Sequence, residues 1–154
     1  MQRIHEIRGT EKKDMRKSNA LRKLIDSSRD NERLLRYESG FVDSSRRPTL
    51  RRLAAECGAT VDQLQSVHRR RRRRGGVSGS WRELLREFRR NLRVAVGGRN
   101  SGDAVAACRR SMSRAEALFD RALALPFPEG TVALLLDRRN RIRLAHAELV
   151  AIQF

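Results

Sequence analysis

The stretch SVHRRRRRRGGVSGS, residues 66–80, decides how the rest of the chain is read. Apolar periodicity runs into it from the N-terminal side and has faded by Arg69. The six arginines Arg69, Arg70, Arg71, Arg72, Arg73 and Arg74 then carry a helix beyond the end of its apolar stripe. Two glycines and a cluster of serines come next, and glycine in a helix interior costs about 1 kcal/mol relative to alanine. The helix ends there, so the chain from Ser80 onward forms a separate element.

Working back toward the N-terminus, Leu50, Leu53, Ala54, Cys57, Val61, Leu64 and His68 recur at helical spacing, with Glu56 on the flank of that stripe. DSSRRPTL, residues 43–50, separates this helix from an earlier one, and Pro48 suits the first turn, where its missing N–H has no intrahelical partner. The earlier helix carries Leu21, Leu24, Ile25, Ser28, Glu32, Leu35 and Val42 on one face and reaches about Ser39, with Glu32 in the middle of the face. Residues 1–17 are polar, charged and aperiodic, which predicts a disordered tail before a domain over residues 18–154, and Met15 is a second candidate start.

Toward the C-terminus, Ser80 and Glu83 have capping-box spacing and open a shorter helix with Trp81, Leu84, Leu85, Phe88, Leu92 and Ala95 on one side. GGRNSGD, residues 97–103, closes it and opens the next, with Ser101 or Asp103 as the cap. There Val105, Cys108, Met112, Ala115, Glu116, Phe119 and Leu123 align, placing Glu116 on the buried face. LPFPEG, residues 125–130, is a turn. A last helix from about Glu129 puts Leu135, Ile142, His146 and Leu149 inward. No segment reads as a strand. The prediction is an all-α four-helix bundle with a short additional helix in the crossover between long helices 2 and 3.

The composition agrees. A chain of 154 residues fits one domain, and 5% aromatic residues suit helices packed through Leu, Ala and Val. Cys57 and Cys108 are too few and too far apart for a disulfide framework or a zinc site. MQRIHEIRGTEKKDMRK, residues 1–17, lacks the apolar core of a signal peptide, and no stretch has membrane-spanning length. The expected location is a reducing cytoplasm.

The net charge of +17 attracts phosphate-bearing partners. All four lysines, Lys12, Lys13, Lys17 and Lys23, lie near the N-terminus, and arginine is the basic residue thereafter, a bias that codon pressure can produce. Codon pressure does not explain the shortage of acids.

The order and spacing of LRRLAAE (50–56), GVSGSWRELLREF (76–88), ACRRSMSRAEALFDRALAL (107–125), PFPEG (126–130) and RLAHAEL (143–149) resemble the ferritin-like superfamily. More narrowly, the chain is similar to a bacterial family of ferritin-like four-helix-bundle domains of unknown function, over residues 18–153. The resemblance implies a two-metal site built from one Glu on each of two helices and a Glu-x-x-His pair on each of the others. This chain departs from that pattern. Three residues after Glu56 stands Ala59, and three before His146 stands Arg143.

The remnant metal candidates are therefore Glu32, Glu56, Glu116 and His146, and the expectation is a degenerate site without a cofactor. Glu32 and Glu116 are expected to pair with Arg109, Arg139 or Arg143, since an unpaired buried carboxylate costs several kcal/mol. His146 reads as a hydrogen-bonded core histidine, and His68 as a helix-end cation favoured by the macrodipole. No Ser/His/Asp or Cys/His arrangement, phosphate-cradling glycine loop or zinc spacing is present.

The functional expectation is a non-enzymatic module binding polyanions, nucleic acid or acidic proteins, through Arg69 to Arg74 without sequence specificity, because arginine forks suit phosphate and few aromatics are present for base stacking. The alternatives are an iron or manganese protein of oxidase or storage type and a self-associating stress protein. Homo-oligomers fit either.

Overall fold

The computed structural model describes the backbone of residues 2–74 and 101–152, with side chains for residues 9–73 and 102–152. Four α-helices account for most of it: α1 Gln2–Glu38, α2 Arg47–Arg74, α3 Ser101–Leu123 and α4 Glu129–Ala151. There is no strand among the described residues. The short helix expected over residues 81–95 lies outside them.

The helix boundaries follow local chemistry. Asp43 accepts from the Arg46 backbone N–H at 3.1 Å and from Ser45, fixing the turn before α2, and Pro48 occupies its second position. Asp103 sits in the first turn of α3 and Glu129 in that of α4, where carboxylates oppose the positive end of the helix dipole. At the other end of α4, Arg109 reaches across from α3. Its Nε donates to the Leu149 carbonyl at 2.7 Å and its Nη2 to those of Val150 and Ile152, satisfying acceptors that a helix end leaves open.

α1 differs from expectation at its start. It begins at Gln2, so the aperiodic residues 1–17 belong almost entirely to a helix and not to a disordered tail. Residues 9–16 are exposed, and Leu21 is the first fully buried position. A helical segment whose described side chains at 9–16 are exposed needs no apolar stripe, which is why pattern alone missed it.

Within the packed region each helix has a row of buried positions that alternates by three and four. The rows are 21, 24, 28, 31, 35 and 38 in α1; 50, 53, 57, 60 and 64 in α2; 105, 108, 112, 115, 119 and 122 in α3; and 135, 138, 142, 145 and 149 in α4, with Ile25, Ala54, Val61, Ala104 and Ala107 buried beside them. That heptad spacing is the signature of helices crossing at a shallow angle with side chains set into facing holes. Phe119 and the leucines at 21, 24, 35, 50, 53, 64, 135 and 149 fill the seam, but Ser28, Asn31, Glu38, Thr60 and Arg138 also occupy buried positions. Val42, expected on the first helix, is buried in the turn after it.

α1 packs on α2 and on α3, α3 packs on α4, and α2 meets α4 more thinly. The sequence neighbours α2 and α3 are diagonal. Direction is set by contacts at the two ends. Arg52 near the start of α2 bonds Glu148 near the end of α4, whose last carbonyls are held by Arg109 from the first half of α3. At the opposite end Arg71 of α2 stacks on Phe127, just beyond α3, with 5.6 Å from guanidinium to ring centre, and bonds Asp14 of α1. Helices α2 and α3 therefore run parallel, and the bundle is up-down-down-up.

α4 is apolar on two sides. Leu135, Ile142, Ala145 and Leu149 face the core, while Leu136, Leu144 and Val150 are exposed. No helix of the described residues is long and apolar enough to cross a membrane.

Candidate functional site

The four candidate ligands lie about halfway along the bundle, and each stands one residue away from the buried position. Asn31, Cys57, Ala115 and Ala145 are buried, whereas their neighbours Glu32, Glu56, Glu116 and His146 are only partly covered. One residue is about 100° of helical rotation. The candidates are turned to the flanks of the seam, which corrects the placing of Glu32 and Glu116 on the buried face.

Each carboxylate meets an arginine there. Glu32 accepts from Arg36 at 2.8 Å, Glu56 from Arg52 at 2.9 Å, and Glu116 lies 3.2 Å from Arg143 Nε. Arg52 also bonds Glu148, tying α2 to α4. Of the partners expected for the glutamates, Arg143 takes Glu116, Arg139 pairs with Asp120, and Arg109 serves the end of α4. Glu32 uses a neighbour on its own helix, and its carboxyl group packs over Gly58 of α2, where an added Cβ would come within 3.2 Å of it.

His146 is half-buried, with Nδ1 4.0 Å from Glu116 Oε2, so it is a flank histidine beside a carboxylate and not a core histidine. Among the described residues no group of three or more His, Cys, Asp or Glu side chains is arranged to hold a metal ion. Two metal ions need several converging hard carboxylates. The residues that face the interior at this level, an amide, a thiol and two methyl groups, do not fit such a centre.

Burial raises the Cys57 thiol to about 12, with further pushes from Glu56 and Glu32, so at neutral pH it is a protonated, unreactive thiol. Asn31 accepts a hydrogen bond from Ser111 of α3, while its own Nδ2 and the Ser28 hydroxyl are buried without partners. Nothing in apolar periodicity marks Asn31. A strict heptad count from Leu21 and Leu24 finds it.

A second pair escaped the sequence reading because it lies on the side of α1 away from the seam. Asp26 and Asp30 are one turn apart and partly covered, and burial raises both above the usual carboxylate range. Asp30 reaches about 6, the Asp26 charge adding to the effect of burial and Arg33 and Arg29 opposing it.

The arginine run divides. Arg69, Arg70, Arg72 and Arg73 are exposed, and among the described residues Arg69 and Arg70 reach the neutral Gln65 and Ser66, at 3.2 and 3.3 Å. Arg71 points inward. Its Nη2 donates to Asp14 at 3.1 Å and its guanidinium covers the Phe127 ring, so it clasps the end of α2 to α1 and to the α3–α4 turn. The Arg74 side chain lies outside the described residues.

His68, one turn before these arginines, is partly buried, and burial together with Arg22, Arg72 and Arg71 lowers its pKa. The expected helix-end cation is thus disfavoured. The helix continues to Arg74, which places His68 beyond the reach of the dipole's last turn, and three guanidinium groups repel its proton.

No family model matches the chain, and no curated protein or solved structure matches it.

Proposed function

We propose that this protein is a cytoplasmic, non-enzymatic helical bundle of ferritin-like type that has lost its two-metal chemistry and binds polyanions through the exposed arginines at the end of α2. The observation that carries the reading is the contrast in arginine partners. Arg36, Arg52, Arg139 and Arg143 hold carboxylates, whereas Arg69 and Arg70 touch only neutral side chains among the described residues. Unneutralised guanidinium groups on one helix end suit phosphate oxygens, which they meet bidentately.

The up-down-down-up order of the helices supports the ferritin-like part, since a single long crossover is how that superfamily connects its two helix pairs. The pairing of Glu32, Glu56 and Glu116 with arginines supports the loss of metal chemistry. The partner class is nucleic acid, read through its phosphates and without regard to base sequence.

Salt dependence tests it. Each engaged arginine releases about 0.9 of a counterion from duplex DNA, so changing Arg69, Arg70, Arg72 and Arg73 to Gln should reduce the slope of log affinity against log salt by about 3.6 if all four are engaged. Arg71 is left intact because it supports the fold. An unchanged slope would show that the general positive field, and not the end of α2, does the binding.

A further inference from the structure

Around His68 the arginine end of the bundle is arranged differently from the rest of α2. The antiparallel register that sets Glu32 of α1 against Gly58 of α2 brings Arg22, ten residues before Glu32, level with His68, ten residues after Gly58. Arg71 and Arg72 come within one turn on α2 itself, and Arg22, Arg71 and Arg72 all act on the imidazole. On α1 the acid Asp14 is already held by Arg71, and the α3–α4 turn contributes the uncharged Phe127. Three of the charged groups around His68 are cations; of these Arg22 also acts on Asp26, one turn further along α1, and Arg71 is bonded to the acid Asp14. His68 Nδ1 is buried and makes no hydrogen bond.

We propose that the phosphate-binding end of α2 is coupled to a proton: a phosphate group seated against the exposed arginines beside His68, with Arg72 one turn away the nearest of the binding set, makes His68 take up a proton, so that polyanion binding tightens as the pH falls. The inference rests on the phosphate-binding reading above and adds a regulating residue to that site. The physical reason is local charge. Without an anion, three guanidinium groups and burial keep the imidazole neutral. A phosphate placed at Arg72 cancels part of that field and accepts a charge-assisted hydrogen bond from imidazolium, so the protonated form becomes the favoured one.

Linkage gives the sign. Without the anion, protonation of His68 is easier in the unfolded chain, so the group lowers stability as the pH drops through the ordinary histidine range. With the anion bound, the affinity for the proton rises, and the affinity for phosphate must rise by the same factor when the proton is present. A difference of one pKa unit between free and bound states corresponds to a tenfold change in affinity.

The experiment uses a duplex DNA oligonucleotide as probe, at fixed ionic strength, with the full chain. Affinity should be about fivefold to tenfold higher at pH 5.5 than at pH 8 for the natural sequence and for His146→Gln, and nearly flat for His68→Gln. In parallel, the His68 ring proton followed by NMR should titrate at a pKa at least half a unit higher in the complex than in the free protein. A pH profile that survives His68→Gln, or a His68 pKa that the oligonucleotide does not move, overturns the coupling. Should the quadruple arginine-to-glutamine variant bind with an unchanged salt slope, the phosphate-binding reading itself fails, which is a different outcome. The NMR titration needs only the natural chain and decides the matter even if His68→Gln does not fold.

Discussion

Halfway along the bundle Glu32, Glu56 and Glu116 each have an arginine within about one hydrogen bond's length, whereas at the end of α2 four exposed arginines have no carboxylate partner among the described residues. Both regions are rich in arginine. The difference lies in what stands opposite. In the middle, α1, α2 and α3 each present an acid at the flank of the seam, and a charge that is partly covered by protein has to be matched nearby because water cannot reach it fully. At the end of α2 the chain faces solvent, and water tolerates unmatched guanidinium groups. Charge in the middle serves to join helices, as Arg52 does between Glu56 and Glu148. The exposed charge at the end meets no carboxylate among the described residues.

Arg71 is where the two regimes meet, and it gives the largest expected effect. Arg71→Ala should destabilise the fold by about 2 kcal/mol, through loss of the Asp14 bond and of the cover over Phe127, while Arg70→Ala should stay within about 0.5 kcal/mol. Urea unfolding of the two variants checks this, and equal values would mean that all the arginines of the run are alike.

The middle can be tested through its buried polar pair. Asn31→Ala should cost about 1 to 2 kcal/mol, because the Ser111 hydroxyl loses its acceptor, whereas Asn31→Leu combined with Ser111→Ala should be close to neutral, both partners being replaced by apolar groups. Thermal unfolding gives the comparison. A double variant as damaged as the single one would show that shape, and not hydrogen bonding, sets the tolerance of this layer.

Smaller still is the effect of Asp30. Its folded pKa of about 6 lies above the ordinary carboxylate value, so the folded chain holds this proton more tightly than the unfolded one. Stability is lost as the pH rises from about 4 to 6, and above that range the charged form is a standing cost. Asp30→Asn should therefore raise the melting temperature modestly at pH 7, with the gain fading below about pH 4. A gain independent of pH would remove the carboxylate's charge as its cause.

Much of the architecture was legible in the sequence. Four long apolar stripes, the break at DSSRRPTL and the LPFPEG turn placed the helix limits on either side of those breaks close to the observed ones, while α1 begins well before its stripe. Such signals are local, since caps, breakers and stripe length act within a few residues of themselves. The candidate site was legible only to within one residue. The residues chosen as inward, Glu32, Glu116 and His146, have inward neighbours, Asn31, Ala115 and Ala145, because a period of 3.6 and a 3-4 alternation differ by a phase that a short stripe does not resolve.

The sequence by itself thus determined the all-α character, the breaks between α1 and α2 and between α3 and α4, and an excess of arginine. Tertiary structure decided which flank of each stripe is covered, since that depends on the register between helices distant in the chain. It decided that Leu135 is buried and Leu136 exposed within one apolar run. It also singled out Arg71 from the four described neighbours of identical chemistry, because only the folded chain brings Asp14 and Phe127, from two other parts of the sequence, to the same helix end.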